Sequence, residues 1–363
     1  MSAWFSRLRS EQAQKVLWPL VALATILLYN LFFTPGFFHI EIKDGHLFGS
    51  LVDILNRGAP TMLLSIGMTL VYASGGTDLS VGAILAISGA MAAYLIRPGY
   101  ANGVLEYPNP PTSMFVVLAL PILISLLAGL WNGFLVAYLE IQPIIATLIL
   151  MVAGRGIAQL ITKGQIVIFI HDSFEFVGGG FLFGLPFPVI LVIAMAALTY
   201  FLTRKTALGM FIEAIGANPK ASRFMGLQAR PIKLMLYVFS GLCSGIAGLI
   251  ICSDIKGADA NNAGLFLELD ALASVIIGGT IWGGRFTLMG SLVGTLIIQA
   301  LTTTILTRGI APEVTLVYKA IVIVLVALIQ SENFRRLFTG YLSTLKAASP
   351  AQIPAQPSPE LKK

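Results

Sequence analysis

The chain has 363 residues, of which 56% are apolar and only 11% are charged, and its formal net charge is +6. Because about a quarter of the residues in a soluble domain are charged, this composition excludes an ordinary soluble domain and predicts a protein with many membrane spans. The positive charge does not indicate nucleic-acid binding, since Lys and Arg collect in the cytoplasmic loops of membrane proteins.

Apolar runs separated by helix breakers predict ten spans, after a short N-terminal segment at 1–15. In chain order the spans lie at 16–33, 51–73, 79–96, 113–139, 143–161, 187–203, 232–252, 269–282, 287–307 and 314–331. We therefore predict an all-α fold, a polytopic transmembrane helical bundle over 16–331. A polar insert at 204–231 interrupts it. A tail at 332–363 follows, and from Lys346 onward it is rich in Pro, Ala, Ser and Gln, which is typical of disorder.

The distribution of Lys and Arg predicts the orientation of the bundle. With the N-terminus inside, fifteen of the 23 Lys and Arg residues fall on the cytoplasmic side, five fall on the outer side and three lie within spans. This bias follows the positive-inside rule. It predicts that both termini and the insert at 204–231 are cytoplasmic.

The segment GGTDLSVGA, Gly75 to Ala83, ends the second span and begins the third. It contains Asp78 and Ser80. A carboxylate at the bilayer centre costs about 2.5–3.5 kcal/mol on insertion scales, so Asp78 should face protein or water. Either Asp78 or Thr77 caps the third helix near the inner interface, or Asp78 lines a transport route. The two roles are compatible.

Three further polar side chains lie in or beside the fourth and fifth spans: Asn132, Gln142 and Thr147. Amides and hydroxyls inside a bundle commonly bridge neighbouring helices through hydrogen bonds. The same groups could bind the hydroxyl groups of a solute. Both interpretations stay open at this point.

The insert contains the segment GMFIEAIGANPKASRFMGL, Gly209 to Leu227, in which a short helix is predicted from Pro219 to Met225. Asn218 can cap its free amides, and Pro219 occupies the first position, where its missing N–H costs nothing. Gly226 can end the helix in a left-handed conformation. A helix of two turns is marginal in water without partner contacts, and Phe224 provides an apolar contact. The insert is therefore predicted either to bind a cytoplasmic partner or to lie on the lipid headgroups.

Sequence motifs for catalysis or metal binding are lacking. The chain has no GxxxxGK[ST], so it cannot bind ATP phosphates through a P-loop, and it has no HExxH or GxSxG motif. His171, Asp172 and Glu175 form an ordinary polar loop, for which no metal site is predicted. These observations predict that the chain is not an enzyme and holds no cofactor.

Three segments resemble permeases of ABC importers of the ribose-type sugar family: the insert, GGTDLSVGA, and ELDALASVIIGGTIWGGRF, Glu268 to Phe286. The resemblance extends over about residues 47–330. In the GGTDLSVGA segment, Thr77 replaces the Ile that is more common in the family. The departures are at the ends of the chain and at 217–220.

The resemblance implies a membrane-spanning permease subunit in the bacterial inner membrane, which forms the path of a monosaccharide. It also implies three protein partners: a separate ATP-binding subunit that hydrolyses ATP, a second permease subunit, and a periplasmic sugar-binding protein. The residues implied for contact with the ATP-binding subunit are Glu213, Ala214, Gly216, Asn218, Pro219, Ala221, Phe224 and Gly226.

Two further sets of residues are candidate sites. The candidates for the translocation path are chosen as polar residues in or beside the spans, with helix capping or helix bridging as the alternative, and they are Asp78, Ser80, Asn132, Gln142 and Thr147. The residues that the resemblance implies for contact with the binding protein are Asp259, Asn261, Asn262 and Glu268. The alternative is a secondary transporter driven by protons or sodium. It would need a relay of intramembrane carboxylates, and the sequence shows no carboxylate that could partner Asp78.

Overall fold

The computed structural model describes residues 11–43, 45–97, 99–101, 104–106 and 112–330. The predicted tail at 332–363 lies outside them, as do residues 1–10 of the predicted N-terminal segment. The helices are α1 (Glu11–Phe33), α2 (Ser50–Ala73), α3 (Val81–Ile96), α4 (Met114–Ala137), α5 (Pro143–Thr162), α6 (Asp172–Gly179), α7 (Phe187–Arg204), α8 (Leu208–Ala217), α9 (Pro219–Phe224), α10 (Ala229–Asp254), α11 (Leu267–Ile277), α12 (Leu288–Thr307) and α13 (Pro312–Gln330).

Each predicted span corresponds to one of these helices, and the predicted helical class is confirmed. Five helices in the described part of the chain are long and apolar enough to cross a bilayer, namely α4, α5, α7, α10 and α12. Shorter apolar stretches lie at Leu17–Phe33, Val81–Ile96 and Leu208–Ala217. The prediction for the eighth span was wrong at its end: α11 stops at Ile277 and not at 282. The chain turns there because Gly279 adopts a φ of 79°.

The loops contain short antiparallel strand pairs, none of which the sequence predicted. They are β1 (Glu41–Lys43) with β2 (His46–Phe48), β3 (Gly99–Ala101) with β4 (Val104–Glu106), β5 (Val167–Ile168) with β8 (Gly257–Ala258), and β6 (Phe181–Leu182) with β7 (Leu185–Pro186). The pairing of β5 with β8 joins the loop after α5 to the loop after α10. We call this end of the bundle the hairpin face.

The opposite end carries α8 and α9, and we call it the insert face. Helix α10 begins beside α9 and ends beside β8, so it connects the two faces. It is the centre of the bundle and packs on α2, α3 and α4. Glycines allow the close approach: a Cβ added at Gly241 would lie 2.4 Å from the Ser125 carbonyl oxygen, and one at Gly248 would lie 2.3 Å from that of Leu85.

The chain divides into two units between Lys319 and Ala320. Helix α13 crosses this boundary. All of the residues discussed below belong to the first unit.

Candidate functional site

The insert folds as a capped pair of short helices. The Asn218 Oδ1 atom accepts the Ala221 N–H at 2.9 Å, and Pro219 is the first residue of α9. At the other end, Gly226 has a φ of 83°, and its N–H donates to the Arg223 carbonyl oxygen. The Leu227 N–H donates to the Ser222 carbonyl oxygen, which completes a Schellman motif. The predicted caps are thus present, although α9 ends at Phe224 rather than Met225.

Helix α9 packs on α8, a helix that the sequence did not predict. The Ser222 hydroxyl is buried and donates to the Ala214 carbonyl oxygen at 2.8 Å. On the outer side of the pair, Phe224 and Met225 are 91% and 83% exposed. Large apolar side chains with this exposure at the tip of a capped helix are typical of a surface that another protein or a membrane covers.

Of the other insert residues, Ala214, Asn218, Pro219, Ala221 and Gly226 are exposed, whereas Glu213 and Gly216 are half-buried. The buried side of α8 carries Ile212 and Ile215, which are fully buried. Most residues implied for contact with an ATP-binding subunit therefore lie on one accessible surface.

Three glycines bring α8 into backbone contact with two other segments, and we call Gly75, Gly216 and Gly283 the glycine junction. A Cβ added at Gly216 would lie 2.0 Å from the Ala73 carbonyl oxygen and 2.8 Å from the Gly283 carbonyl carbon. The Gly283 N–H also donates to the Tyr72 carbonyl oxygen at 3.0 Å. The end of α8, the end of α2 and the loop after α11 are thus held together without side chains between them.

A cavity of about 900 Å³ opens beside α9 on the insert face. Four cationic side chains line it, namely Lys220, Arg223, Arg230 and Lys233, and one carboxylate, Glu140. Arg230 donates to Glu140 at 2.9 Å, and this hydrogen bond holds the pKa of the Glu140 carboxyl below its ordinary value. Gln142 is exposed in the same cavity. The surroundings of α9 are therefore positively charged.

Asp78 lies fully buried in the break between α2 and α3. Its Oδ1 atom accepts the Ser80 N–H at 3.1 Å and the Ser80 hydroxyl at 2.6 Å, while its Oδ2 atom accepts the Ser240 hydroxyl at 2.8 Å. The Asn132 Nδ2 atom donates to the Ser80 Oγ atom at 2.7 Å. We call Asp78, Ser80, Asn132 and Ser240 the Asp78 cluster.

The cluster joins the helix break to α4 and α10, and it has no exposed surface in this conformation. The prediction that Asp78 or Thr77 caps α3 was wrong, because the N-cap residue is Ser80 and no side chain of the described residues accepts a hydrogen bond from the first turn. Asp78 instead accepts the N–H of Ser80. The sequence indicated Asp78, Ser80 and Asn132 as candidate residues. It did not indicate Ser240, because this serine lies 162 residues from Asp78 and no local pattern connects the two. Thr147 does not take part: its hydroxyl donates to the Pro143 carbonyl oxygen within α5.

The loop after α10 is held by its own side chains. Asp259 accepts the backbone N–H groups of Asn261 and Asn262 at 3.0 and 3.2 Å, and the Asn262 side chain at 2.7 Å. Gln159 donates to the Asn261 Oδ1 atom at 2.8 Å. Arg155 of α5 donates to the carbonyl oxygens of Ala260 and Ala263 in this loop. Asn261 and Asn262 are therefore presented in a fixed geometry on the hairpin face.

Glu268 differs from its neighbours in this loop. It is only 2% exposed, and a Cβ added at Gly82 would lie 2.4 Å from its Oε2 atom. The Glu268 side chain is therefore too buried to contact a partner protein in this conformation. Elsewhere on the hairpin face, the His171 ring accepts the Phe174 N–H and caps α6. Among the residues that the structure describes, His, Cys, Asp and Glu side chains form no group of three or more that could hold a metal ion.

Span-length helices packed around α10, together with a capped insert on one face, define a polytopic membrane protein of the permease class. Comparison with known families specifies this further. Residues 50–327 match the family described as the permease component of the branched-chain amino acid transport system. The chain belongs to this family.

Several characterised relatives are similar along almost their whole length. The galactofuranose transporter permease protein YtfT of Escherichia coli K12 is 52% identical over 90% of this chain and 94% of the relative. The fructose import permease protein FruF of Bifidobacterium longum is 35% identical over 88% of both chains. The ribose import permease protein RbsC of Escherichia coli K12 is 31% identical over 86% of this chain and 93% of the relative. No solved structure matches the chain.

Proposed function

We propose that this chain is the membrane-spanning subunit of an ATP-driven importer and forms the translocation path of a monosaccharide, namely galactofuranose. The observation that carries the proposal is the 52% identity to the galactofuranose transporter permease, which extends over nine-tenths of both chains. The family description refers to branched-chain amino acids, but the relatives for fructose, ribose and xylose are also sugar permeases. A sugar is therefore the better-supported solute.

The energy for transport enters through the insert. An ATP-binding subunit, which hydrolyses ATP in place of this chain, covers the exposed Phe224 and Met225 side chains of α9. The cationic cavity beside α9 favours an acidic surface on that subunit, because opposite charges across an interface guide association. Movement of α9 passes to α8 through the bond between Ser222 and Ala214, and from α8 to the break after α2 through the glycine junction.

The membrane orientation and the remaining partners follow from the same proposal. The insert face is cytoplasmic in the inner membrane, together with both termini, and the hairpin face is periplasmic. A periplasmic sugar-binding protein contacts the loop at Asp259, Asn261 and Asn262. A second permease subunit, either a copy or a different chain, completes the path, and lipid covers the exposed apolar side chains of α4 and α5, such as Leu127 and Val152.

Two exposed phenylalanines provide a matched test. Phe224 on the insert face and Phe183 on the hairpin face are both 91% exposed. In a strain that lacks the chain, we expect the wild type and the Phe183→Asp variant to restore uptake of labelled galactofuranose, in preference to ribose, galactose and leucine. The Phe224→Asp variant should insert in the membrane but lose most of the uptake. It should also lose copurification of the co-expressed ATP-binding subunit.

Two results would contradict the proposal. Equal copurification of the ATP-binding subunit with Phe224→Asp and Phe183→Asp would show that α9 does not make the contact. Ion-driven accumulation of sugar by the purified chain alone would instead support the secondary transporter.

A further inference from the structure

We propose that a second cavity, formed within this single chain near the hairpin face and open to the surface, binds one monosaccharide. It lies between α2, α10, α11 and α12, and it is separate from both the Asp78 cluster and the cavity beside α9. The polar side chains that define it are Asn56, Arg57, Asp254, Gln299 and Thr302, and we call it the hairpin-face cavity. The inference rests on the proposed function, because a sugar is taken as the solute.

The cavity has a suitable size. Its volume is about 290 Å³, which is at the lower end of the roughly 300–1,000 Å³ that small-molecule sites occupy. A single sugar ring fits a site of this size better than an oligosaccharide does. Helices α2 and α12 are in van der Waals contact beside the cavity, since a Cβ added at Gly58 would lie 3.4 Å from the Gln299 Cγ atom. This contact limits the cavity on one side.

Several polar groups of the cavity lack hydrogen-bond partners. Among the described residues, the Arg57 guanidinium and the Asp254 carboxylate take part in no hydrogen bond or ion pair. The Asn56 Oδ1 atom is buried without a partner. Gln299 makes only one long bond, 3.5 Å from its Nε2 atom to the Thr303 hydroxyl. Because buried polar groups are normally hydrogen-bonded, the Asn56 Oδ1 atom points to a polar ligand that supplies the missing partner. Arg57 and Asp254 are exposed, so water hydrates them in the free chain and both are available to the same ligand.

The chemistry of these groups matches a polyhydroxylated ligand. Each sugar hydroxyl both donates and accepts hydrogen bonds, so its site needs donors and acceptors side by side. Arg57 provides only donors, Asp254 in its ionised form only acceptors, and Asn56 and Gln299 provide both. Carboxylates, amides and a guanidinium in fixed positions can therefore distinguish one arrangement of hydroxyls from another.

The charges of the cavity favour a neutral ligand. Arg57 and Lys319 are cationic, Asp254 and Asp270 are anionic, and the formal charges cancel. Lys319 is already paired with Asp270 at 2.6 Å, and Arg57 lies close enough to Asp254 for their charges to attract. A phosphate or an anionic lipid headgroup would leave an excess of negative charge there. A neutral sugar would not.

The position of the cavity suggests its part in transport. Asp254 is the last residue of α10, at the end remote from the insert, and Arg57 and Asp254 are both exposed. A sugar could therefore enter from the hairpin face without passing the Asp78 cluster. Each permease chain of the importer would then hold its own sugar before the sugar reaches the rest of the path.

Binding to the purified full chain in lipid nanodiscs tests the inference. The probe is labelled methyl β-galactofuranoside, whose ring form is locked, with inorganic phosphate as a competitor. We expect saturable binding that phosphate does not displace. The Gln299→Leu and Asn56→Leu variants should each weaken binding about tenfold or more, since a hydroxyl loses its partner in a buried site. The matched control is Gln165→Leu, at an exposed position outside the cavity, and it should bind as the wild type does.

Thr302→Val, which exchanges one hydroxyl for a methyl group, covers the case in which a Leu variant fails to fold. Its binding should also weaken. Absence of saturable binding by the wild type, displacement by phosphate, or wild-type affinity in the folded cavity variants would each overturn the inference. If the chain is still needed for galactofuranose uptake in cells, only the cavity is refuted. If its removal leaves uptake of every sugar unchanged, the proposed function fails.

Discussion

The Asp78 cluster is fully buried and the hairpin-face cavity is partly exposed, and the two sites differ in how far their charged groups are hydrogen-bonded. Each site holds one buried amide oxygen without a hydrogen-bond partner, Asn132 Oδ1 in the cluster and Asn56 Oδ1 in the cavity. In the cluster, both oxygens of the Asp78 carboxylate accept hydrogen bonds, and the group is fully buried. In the cavity, Arg57 and Asp254 are exposed and, within the described residues, form no hydrogen bonds or ion pairs, and the Asn56 Oδ1 atom has no partner.

The difference indicates different roles. A buried carboxylate with three donors stabilises the fold, because it fixes the helix break between α2 and α3 against α10. Exposed charged groups without protein partners are hydrated and contribute little to the stability of the fold, and they remain available to bind a ligand. Stability measurements can separate the two roles without any knowledge of the ligand.

The largest loss of stability is expected for Asp78→Leu. The change leaves the buried hydroxyls of Ser80 and Ser240 without their acceptor, and each unsatisfied group costs about 1–3 kcal/mol. We expect the free energy of unfolding to fall by about 4 kcal/mol, measured by denaturant titration in mixed micelles. The Asp78→Asn variant keeps one acceptor oxygen, so its free energy of unfolding should lie between that of Asp78→Leu and that of the wild type. Wild-type stability of Asp78→Leu would refute the structural role.

A smaller loss is expected for Ser240→Ala, since only one of the three donors to the carboxylate is removed. A hydrogen bond to a charged group contributes about 1.5–3 kcal/mol, so we expect a loss of about 2 kcal/mol. The matched control is Ser244→Ala, one turn further along α10. Ser244 is also fully buried, but its hydroxyl donates only to the Ser240 carbonyl oxygen. The Ser244→Ala variant should lose about 0.5 kcal/mol of the free energy of unfolding. Equal losses in Ser240→Ala and Ser244→Ala would contradict the stabilising role of the bond from Ser240 to Asp78.

The smallest effect, and one of opposite sign, is expected for Asn56→Leu. The change removes a buried oxygen that has no partner in the structure, so the free energy of unfolding should stay the same or rise by up to about 1 kcal/mol. The same titration provides the measurement. A loss comparable to that of Ser240→Ala would mean that Asn56 stabilises the fold, and it would remove the contrast between the two sites.

Much of the fold could be predicted because the spans are long apolar runs bounded by Gly, Pro and charged residues. The error at the end of α11 has a physical cause. The residues after Ile277 are apolar enough to continue a span, but a Cβ added at Gly278 would lie 2.3 Å from the Gly290 carbonyl carbon. The chain turns there because of a contact with α12, which lies further along the sequence. Helix α8 was missed because it was read as part of a polar insert, although its buried side is apolar.

The sites were predicted less completely. The caps of α9 depend on residues that are close in the sequence, so Asn218, Pro219 and Gly226 could be recognised directly. The partners in the cavity are distant in the sequence, and Arg57 and Asp254 are read separately as a charged start of a span and as the beginning of a loop. Only the packing of α2 against α10 and α12 brings them together, and no local pattern indicates that packing.

The glycine junction has a mechanical consequence. A contact made by long side chains can absorb a displacement through changes of rotamer, but Gly75, Gly216 and Gly283 have no rotamers to change. A shift of α8 by a fraction of an ångström must therefore displace the ends of α2 and of the α11 loop in the same instant. Even one added methyl group at Gly216 would push these segments apart. A rigid contact between the three segments therefore requires glycine, the smallest residue, at this position.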